Sequence, residues 1–339
     1  MKILIDTKGG DYSPLELVEG AVLASKQNNT AGFVLFGDKQ KIEEILNNEK
    51  VDLARFEVID SPDEIENTES PTMAIKTKKQ SSMVMAFERL KSERDACGMI
   101  SCGSTGAILT GAILKIGRVP GVSRPSLAPV LPTANGGKVM LIDSGANMDC
   151  KPINLCHFAL MGSAYMTAME GIKKPKVALL NVGTEDKKGN DLTHAVFPLL
   201  KSLDINFVGN MEARDVLSGK YDVVVCDGFA GNVLLKGLES MAGEIMSELK
   251  LAVKNSFKAK IGALFLKDTL KNIKNKFDYN AIGGSIFLGA RKIVVKAHGA
   301  SKRGAILACC EQIEKLIDNN LNQNIEVMIK NAQIDEAAI

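Results

Sequence analysis

Short apolar runs that break off into loops of Gly, Asp, Asn and Ser recur at least eight times along this chain. Residues 2–5 run into Asp6, Gly9, Gly10 and Asp11, residues 33–36 into Gly37 and Asp38, and residues 98–100 into the loop 101–106. Residues 139–142 lead to 143–147, residues 177–180 to Asn181, Val182 and Gly183, and residues 206–208 to Gly209 and Asn210. Residues 223–225 precede 226–232, and residues 293–295 precede Lys296, Ala297, His298 and Gly299. Continuous runs rich in β-branched residues suit strands buried on both faces. Helical patterns fill the intervals, at about residues 14–19, 39–47, 71–91, 106–116, 152–171, 192–203, 231–257, 285–290 and 303–320. Ser13 is placed to cap the first of these helices and Pro14 to open it. The alternation predicts an α/β fold on a mostly parallel, doubly wound sheet. In such sheets ligands bind beyond the carboxyl ends of the strands, which is where the polar loops fall.

Length changes this picture in one respect. At 339 residues the chain exceeds the size at which a single core usually stops growing, so two lobes are expected. No linker or compositional shift separates them, so they are expected to share one sheet, with residues 1–339 as a single catalytic unit. A formal charge of +2, no Trp and 5% aromatic residues argue against a nucleic-acid partner. The seven cysteines (97, 102, 150, 156, 226, 309, 310) show no CxxC pairing, which reads as a reduced, cytosolic set. No apolar stretch approaches the ~20 residues of a membrane span.

Charge is unevenly spread within residues 241–278. Eight lysines stand between 250 and 276, among them Lys250, Lys254, Lys258, Lys267 and Lys271, against one acid, Asp268. Leu249, Val253, Phe257, Ile261 and Phe265 recur every four residues and so share a helical face. Such a segment either packs its apolar face on the body as a solvated helix, or docks an acidic protein or an anionic lipid surface. The shortage of acids favours docking, because ordinary surface helices mix both signs.

The familiar catalytic motifs are missing. The chain has no GxxxxGK[ST], no GxGxxG, no GxSxG and no HExxH, and its histidines are His157, His194 and His298. Cys150, Cys156 and His157 have no recognised zinc spacing, so no metal is expected. What remains is a set of anion-friendly loops. Residues 101–107 follow a strand and precede an apolar helical run, so backbone amides there, with Ser104, Thr105 and Gly106, suit a phosphate. The competing reading is a plain turn capped by Ser104. Asn135 precedes Gly136 ahead of a strand, and a hairpin turn is the first reading for it. Asp143, Asn147, Asp149 and Lys151 crowd the end of another strand, which is costly unless they bond one another or a ligand. Asp227 stands between a buried-looking strand and Gly228, and Lys296 with His298 follows the last strand.

Taken in order, these loops resemble the phosphate acyltransferase family of bacterial phospholipid synthesis over almost the whole chain. The resemblance runs through Gly9-Gly10-Asp11, residues 101–107, Arg124-Pro125, residues 132–137, 143–147, Cys150-Lys151-Pro152 and 158–162. It continues through Glu185 with Lys188-Gly189-Asn190, Gly209-Asn210 with Arg214-Asp215, residues 226–232 and 296–299. It implies transfer of a long-chain fatty acyl group from acyl carrier protein to inorganic phosphate, giving acyl phosphate for a membrane glycerol-3-phosphate acyltransferase. It also implies a three-layer α/β/α fold like phosphotransacetylase and isocitrate or isopropylmalate dehydrogenase, with two intertwined lobes on one large mixed sheet. A homodimer without cofactor is expected, cytoplasmic and peripherally attached to the inner face of the membrane. The assigned substrate set is Gly9, Gly10, Asp11, Ser104, Thr105, Gly106, Asn135, Asp143, Asn147, Lys151, Lys188, Asn190, Gly228 and Asn232. Lys296 or His298 is expected to neutralise phosphate and Asp227 to orient that cation, with an oxyanion donor drawn from Asn135, Asn147, Asn190 or Asn232. Direct attack by phosphate is expected in place of an acyl-enzyme on Cys150. The alternatives are an NAD-dependent decarboxylating dehydrogenase of the same fold and a non-catalytic carrier- or lipid-binding protein.

Overall fold

The computed structural model describes residues 1–27, 31–276, 283–332 and 334. Its first half alternates strongly: β1 (Lys2–Asp6), α1 (Leu15–Lys26), β2 (Gly32–Gly37), α2 (Lys39–Asn48), β3 (Phe56–Asp60), α3 (Pro71–Thr77), α4 (Ser82–Ser92), β4 (Ala96–Ser101) and α5 (Thr105–Gly111). Then come β5 (Ser126–Ala128), β6 (Val130–Pro132), β7 (Lys138–Ile142), α6 (Pro152–Glu170), β8 (Lys176–Asn181), α7 (Asp191–Ser202), β9 (Asn206–Glu212) and β10 (Val223–Val225). The chain continues with α8 (Gly228–Asn255), α9 (Phe257–Phe265), α10 (Lys267–Lys276), β11 (Ser285–Leu288), β12 (Ile293–Lys296), α11 (Arg303–Asp318) and α12 (Leu321–Ala332).

All eight strands expected from the apolar runs are present. The single shared sheet, however, resolves into two: a seven-stranded sheet in the order β3-β2-β1-β4-β12-β11-β5, and a five-stranded sheet in the order β6-β7-β10-β8-β9. Both are mostly parallel, with antiparallel pairing confined to β11–β12, β11–β5 and β6–β7. The division falls at Pro129, which has no N–H to offer a ladder and so breaks the strand that joins them. Across the break Ser144 N–H still donates to Leu127 O at 2.9 Å and Leu141 N–H to Pro129 O at 3.0 Å. The lobes therefore meet through one bent strand rather than through a continuous ladder.

Two further expectations fail. Residues 285–288 form β11 instead of a helix, paired antiparallel with β5 through Ile286, Phe287 and Leu288, all buried. Ser13 does not cap α1; its Oγ accepts from Gly10 N–H at 2.9 Å and tightens the preceding loop instead. Packing elsewhere follows the pattern. The central α6 has fourteen buried residues, Ile153 to Met166 without interruption. A helix apolar all round belongs between layers, and α6 lies against α7, α12 and β10.

Candidate active site

The carboxyl ends of the parallel strands in the two sheets face a cavity of about 260 Å³. Thr105 opens α5 after β4, Ser144 and Gly145 follow β7, Asn232 and Lys236 lie on α8, Lys296 ends β12 and His298 follows it; all line this space. Register explains why they converge: β12 pairs in parallel with β4, matching Lys296 to Ser101, and β10 pairs in parallel with β7, matching Val225 to Ile142.

Glycines set how closely these loops approach. A Cβ at Gly231 would stand 1.9 Å from Asp143 O, and one at Gly228 would stand 2.6 Å from Asn147 O. Only glycine lets the first turn of α8 lie on the 143–147 loop. Gly228 N–H uses that closeness to donate to Asn147 O at 2.8 Å.

Lys296 is half-buried, and its Nζ donates to Ala297 O at 3.1 Å. Burial, the largest influence, pulls its pKa below the ordinary lysine range; Cys102 and Glu239 act the other way, and Lys236 adds to the lowering. His298 accepts a hydrogen bond at Nδ1 from Ala300 N–H at 3.2 Å. A neutral ring held this way carries its proton on Nε2. The cavity thus offers an ammonium, an imidazole, the hydroxyl of Thr105 and the carboxamide of Asn232, while the Ser144 hydroxyl donates to Leu127 O at 3.0 Å. That donor set suits an oxyanion.

The other expected residues are placed differently. Gly9, Gly10 and Asp11 do not line the cavity and pack instead on the loops that follow β4 and β12. A Cβ at Gly9 would be 3.0 Å from Gly103 Cα, and Asp11 N–H donates to Gly299 O at 2.9 Å. Ser104 precedes α5 without a capping bond, and Gly106 packs on Pro71. Beneath them Asp6 is buried and accepts from Ser82 Oγ at 2.5 Å, Ser101 Oγ at 2.7 Å and Lys8 N–H at 3.2 Å. Burial outweighs these bonds and lifts its pKa to about 6.

Asp143 and Asn147 satisfy each other. The Asp143 carboxylate accepts from Leu127 N–H, Ala146 N–H, Asn147 N–H and Asn147 Nδ2, at 2.6 to 3.2 Å. Asn147 Nδ2 also donates to Pro125 O at 2.8 Å, which leaves it no donor for an oxyanion. Burial raises the Asp143 pKa, and its hydrogen bonds oppose that. Asn135 sits in the β6–β7 turn, at the opposite end of β7 from the cavity, where its Oδ1 accepts from Thr133 Oγ1 and Gly137 N–H. The hairpin reading holds there.

Asp227 does not meet Lys296. Its Oδ1 caps α8 by accepting from Ala230 N–H at 2.7 Å, and it lines a second, largely apolar cavity of about 930 Å³ with Asn181, Asn190, Phe229, Val233 and Met241. Asn190 caps α7, its Oδ1 accepting from Thr193 N–H at 3.0 Å. Lys151 and Lys188 are exposed at the start of α6 and in the β8–α7 loop. Of the four asparagines considered, Asn232 alone lines the Lys296 cavity.

Sequence reasoning missed Ser144, Gly145, Lys236, Glu239 and Ser285 as cavity residues. A signal existed for two: Lys236 and Glu239 stand four and seven residues after Asn232 on one helix, and so on its face. All seven cysteines are free, and burial pushes the Cys102 and Cys150 thiols up to about 12. Among the described residues no group of His, Cys, Asp and Glu could hold a metal ion.

Met241, where the basic segment begins, lines the second cavity, and none of the segment's described lysines lines either one. Ser256 ends α8 and caps α9, accepting from Ala259 N–H at 3.2 Å. Phe257 is 78% exposed and Phe265 83%, with Ile261 and Leu264 also outside. These side chains leave the apolar face uncovered among the described residues. Residues 277 and 278 of the 241–278 segment lie outside the described residues. No described helix is long and apolar enough to cross a membrane.

Comparison with known proteins shows the family and the fold. Residues 1–324 match the family described as "Fatty acid synthesis protein". The chain is 43% identical over 334 residues to the phosphate acyltransferase of Clostridium novyi, covering 98% of this chain and 100% of that one. It is 45% identical to the phosphate acyltransferase of Bacillus cytotoxicus over 318 residues, 94% of each chain. In fold it is similar to a branched-chain phosphotransacylase from Enterococcus faecalis (TM-score 0.60, 13% identity, 94% of this chain and 99% of that one). It is also similar to a phosphotransacetylase from Streptococcus pyogenes (TM-score 0.59, 17% identity, 94% of each).

Proposed function

The chain belongs to the phosphate acyltransferase family, and on that premise we propose that it moves a long-chain fatty acyl group from acyl carrier protein to inorganic phosphate. It is an acyltransferase, and phosphate is the acceptor. The observation that carries the reading is the cavity in which Lys296, His298, Thr105, Ser144 and Asn232 converge from both sheets.

A thioester needs no covalent relay. A phosphate oxygen bonds to the carbonyl carbon, the C–S bond breaks with its electron pair on sulfur, and the proton of hydrogen phosphate neutralises the departing thiolate. Lys296 and the Thr105 hydroxyl hold phosphate in place. Asn232 Nδ2 and His298 Nε2–H supply donors for the tetrahedral oxyanion, each worth about 3 kcal/mol. Asp227 acts at one remove, by capping the helix that presents Asn232. The raised thiol of Cys150 and its place outside this cavity speak against a covalent acyl-enzyme.

The exposed Phe257, Ile261 and Phe265, with Lys250, Lys254, Lys258, Lys267 and Lys271, form the docking arm in this reading. Its partners are acidic acyl carrier protein and anionic lipid at the inner face of the membrane, where a glycerol-3-phosphate acyltransferase would take the product. The working unit is a homodimer of a single two-lobed catalytic chain, without cofactor.

Purified protein should consume acyl carrier protein thioester only when phosphate is present, releasing free thiol and an acid-labile, hydroxylamine-reactive acyl phosphate. The Cys150→Ala variant should keep most of this turnover. Phosphate-independent thioester loss, acyl label trapped on Cys150, or reduction of NAD by a hydroxy acid would overturn the proposal.

A further inference from the structure

One group in the Lys296 cavity is out of keeping with an anion site. Glu239, on α8, lines the cavity as its only carboxylate among the described residues. It lies close enough to Lys296 to hold that ammonium's proton more firmly. Its Oε2 is 2.6 Å from Lys236 Nζ, and the two differ in placement: the Lys236 side chain is 62% exposed and the Glu239 side chain 19%. The lysine therefore stands at the mouth and the carboxylate inside.

A carboxylate beside an anion is repulsive unless the anion brings a proton. An ionised carboxylate only accepts hydrogen bonds. Phosphate keeps at least one proton at neutral pH and can donate it; sulfate, of the same size, shape and charge, keeps none. A site that presents one carboxylate among cations and hydroxyls accepts the first and repels the second. Such rejection works through an unmet acceptor and a like charge.

Resting on the reading of this cavity as the phosphate site, we propose that Glu239 is a specificity-determining residue that admits phosphate and excludes fully deprotonated oxyanions. In this role Lys236 holds the empty-site carboxylate at the mouth end of α8. Phosphate replaces that contact, accepting from Lys236 and Lys296 while its own P–OH donates to Glu239. The helical spacing makes the arrangement possible, because Asn232, Lys236 and Glu239 share one face of α8.

The test is a pair of anion titrations on the full chain, inorganic phosphate and sodium sulfate, at matched ionic strength by calorimetry, alongside the phosphate KM and the sulfate Ki in turnover. Glu239→Gln keeps the shape and gains a donor. Its preference for phosphate over sulfate should fall at least ~10-fold, through a higher phosphate KM and a lower sulfate Ki, with a smaller effect on kcat. Lys236→Met serves as the contrast: both anions should weaken and the preference should not fall. A preference unchanged in Glu239→Gln overturns the inference, as does wild-type protein on which sulfate competes as well as phosphate. If wild-type turnover depends on phosphate and the preference does not move, only this inference falls. If wild-type turnover is indifferent to phosphate, the functional reading falls and takes this inference with it. Thermal melting of both variants, which lie on the surface of α8, checks that the fold is retained.

Discussion

Two polar loops follow parallel strands here and read alike in sequence, but they do opposite things. The loop after β7 closes on itself: Asp143 accepts four hydrogen bonds and Asn147 spends both its amide donors within the chain. The loop after β12 leaves Lys296 and His298 lining a cavity, with Lys296 holding only the carbonyl of its neighbour Ala297. The first spends its polar groups on the chain, and the second leaves its side chains in the cavity. Density of polar residues at a strand end therefore marks a site without saying which residues are its working groups. Hydrogen-bond saturation makes that distinction.

The sharpest way to break the contrast is to remove one residue from each loop. Lys296→Met should lower kcat/KM by at least ~100-fold while thermal stability changes little, because a half-buried cation whose hydrogen bond goes to the neighbouring Ala297 carbonyl contributes more to the ligand than to the fold. Asp143→Ala should do the reverse at the level of cause. It strands four buried donors, so about 3 kcal/mol of stability should be lost, read from denaturant unfolding, with activity falling only in proportion to folded protein. Equal stability losses in the two variants would show that the loops are not divided in this way.

A smaller effect sharpens the same division through pH. Asp6 has its pKa raised to about 6 from 3.8 by burial. The folded state therefore holds its proton more tightly than the unfolded chain does. Its contribution to stability is present below pH ~4 and declines as pH rises toward 6, by roughly 1.4 kcal/mol per pH unit across that window. Asp6→Asn should flatten this part of the stability-versus-pH curve. An unaltered slope would remove Asp6 as its source.

The effect most remote from the two loops belongs to the arm. Replacing Lys254, Lys258, Lys267 and Lys271 with Glu should raise the KM for acyl carrier protein, weaken sedimentation with anionic vesicles, or both, at ~1 kcal/mol per lysine near the surface. Phe257→Ser with Ile261→Ser should harm vesicle binding more than carrier binding. If neither property moves, the arm has no docking role.

Much of the fold was legible because buried strands need continuous apolar runs, and all eight such runs became strands. Strands β3, β5, β6 and β11 escaped because none is an uninterrupted apolar run that ends in a Gly-rich polar loop: β3 carries Glu57, and Pro129 separates β5 from β6. Residues 285–290 were mistaken for a helix for the same reason. The site was legible as a set of loops and not as a geometry. Asn135, Asn147, Asn190 and Asn232 look interchangeable along the chain. What separates them is the company each keeps: Asn147 with Pro125 O, Asn135 with Thr133 and Gly219 O, Asn190 with Thr193. Asp227 looked like a partner for Lys296 and is a helix cap facing the other cavity, a distinction that depends on which side of α8 it leaves.

Helix α8 runs unbroken for 28 residues from Gly228 to Asn255, about 42 Å at 1.5 Å per residue. Its first turn is pinned to the 143–147 loop by Gly228 and Gly231, and its last two turns bear Lys250 and Lys254. Loop and arm are thus at two ends of one rod. Their separation and relative bearing are set by residue count alone. Deleting one residue between Lys236 and Lys250 would shorten the rod by about 1.5 Å and swing the arm about 100° around its axis. The middle of this helix can change its side chains freely, but not its length.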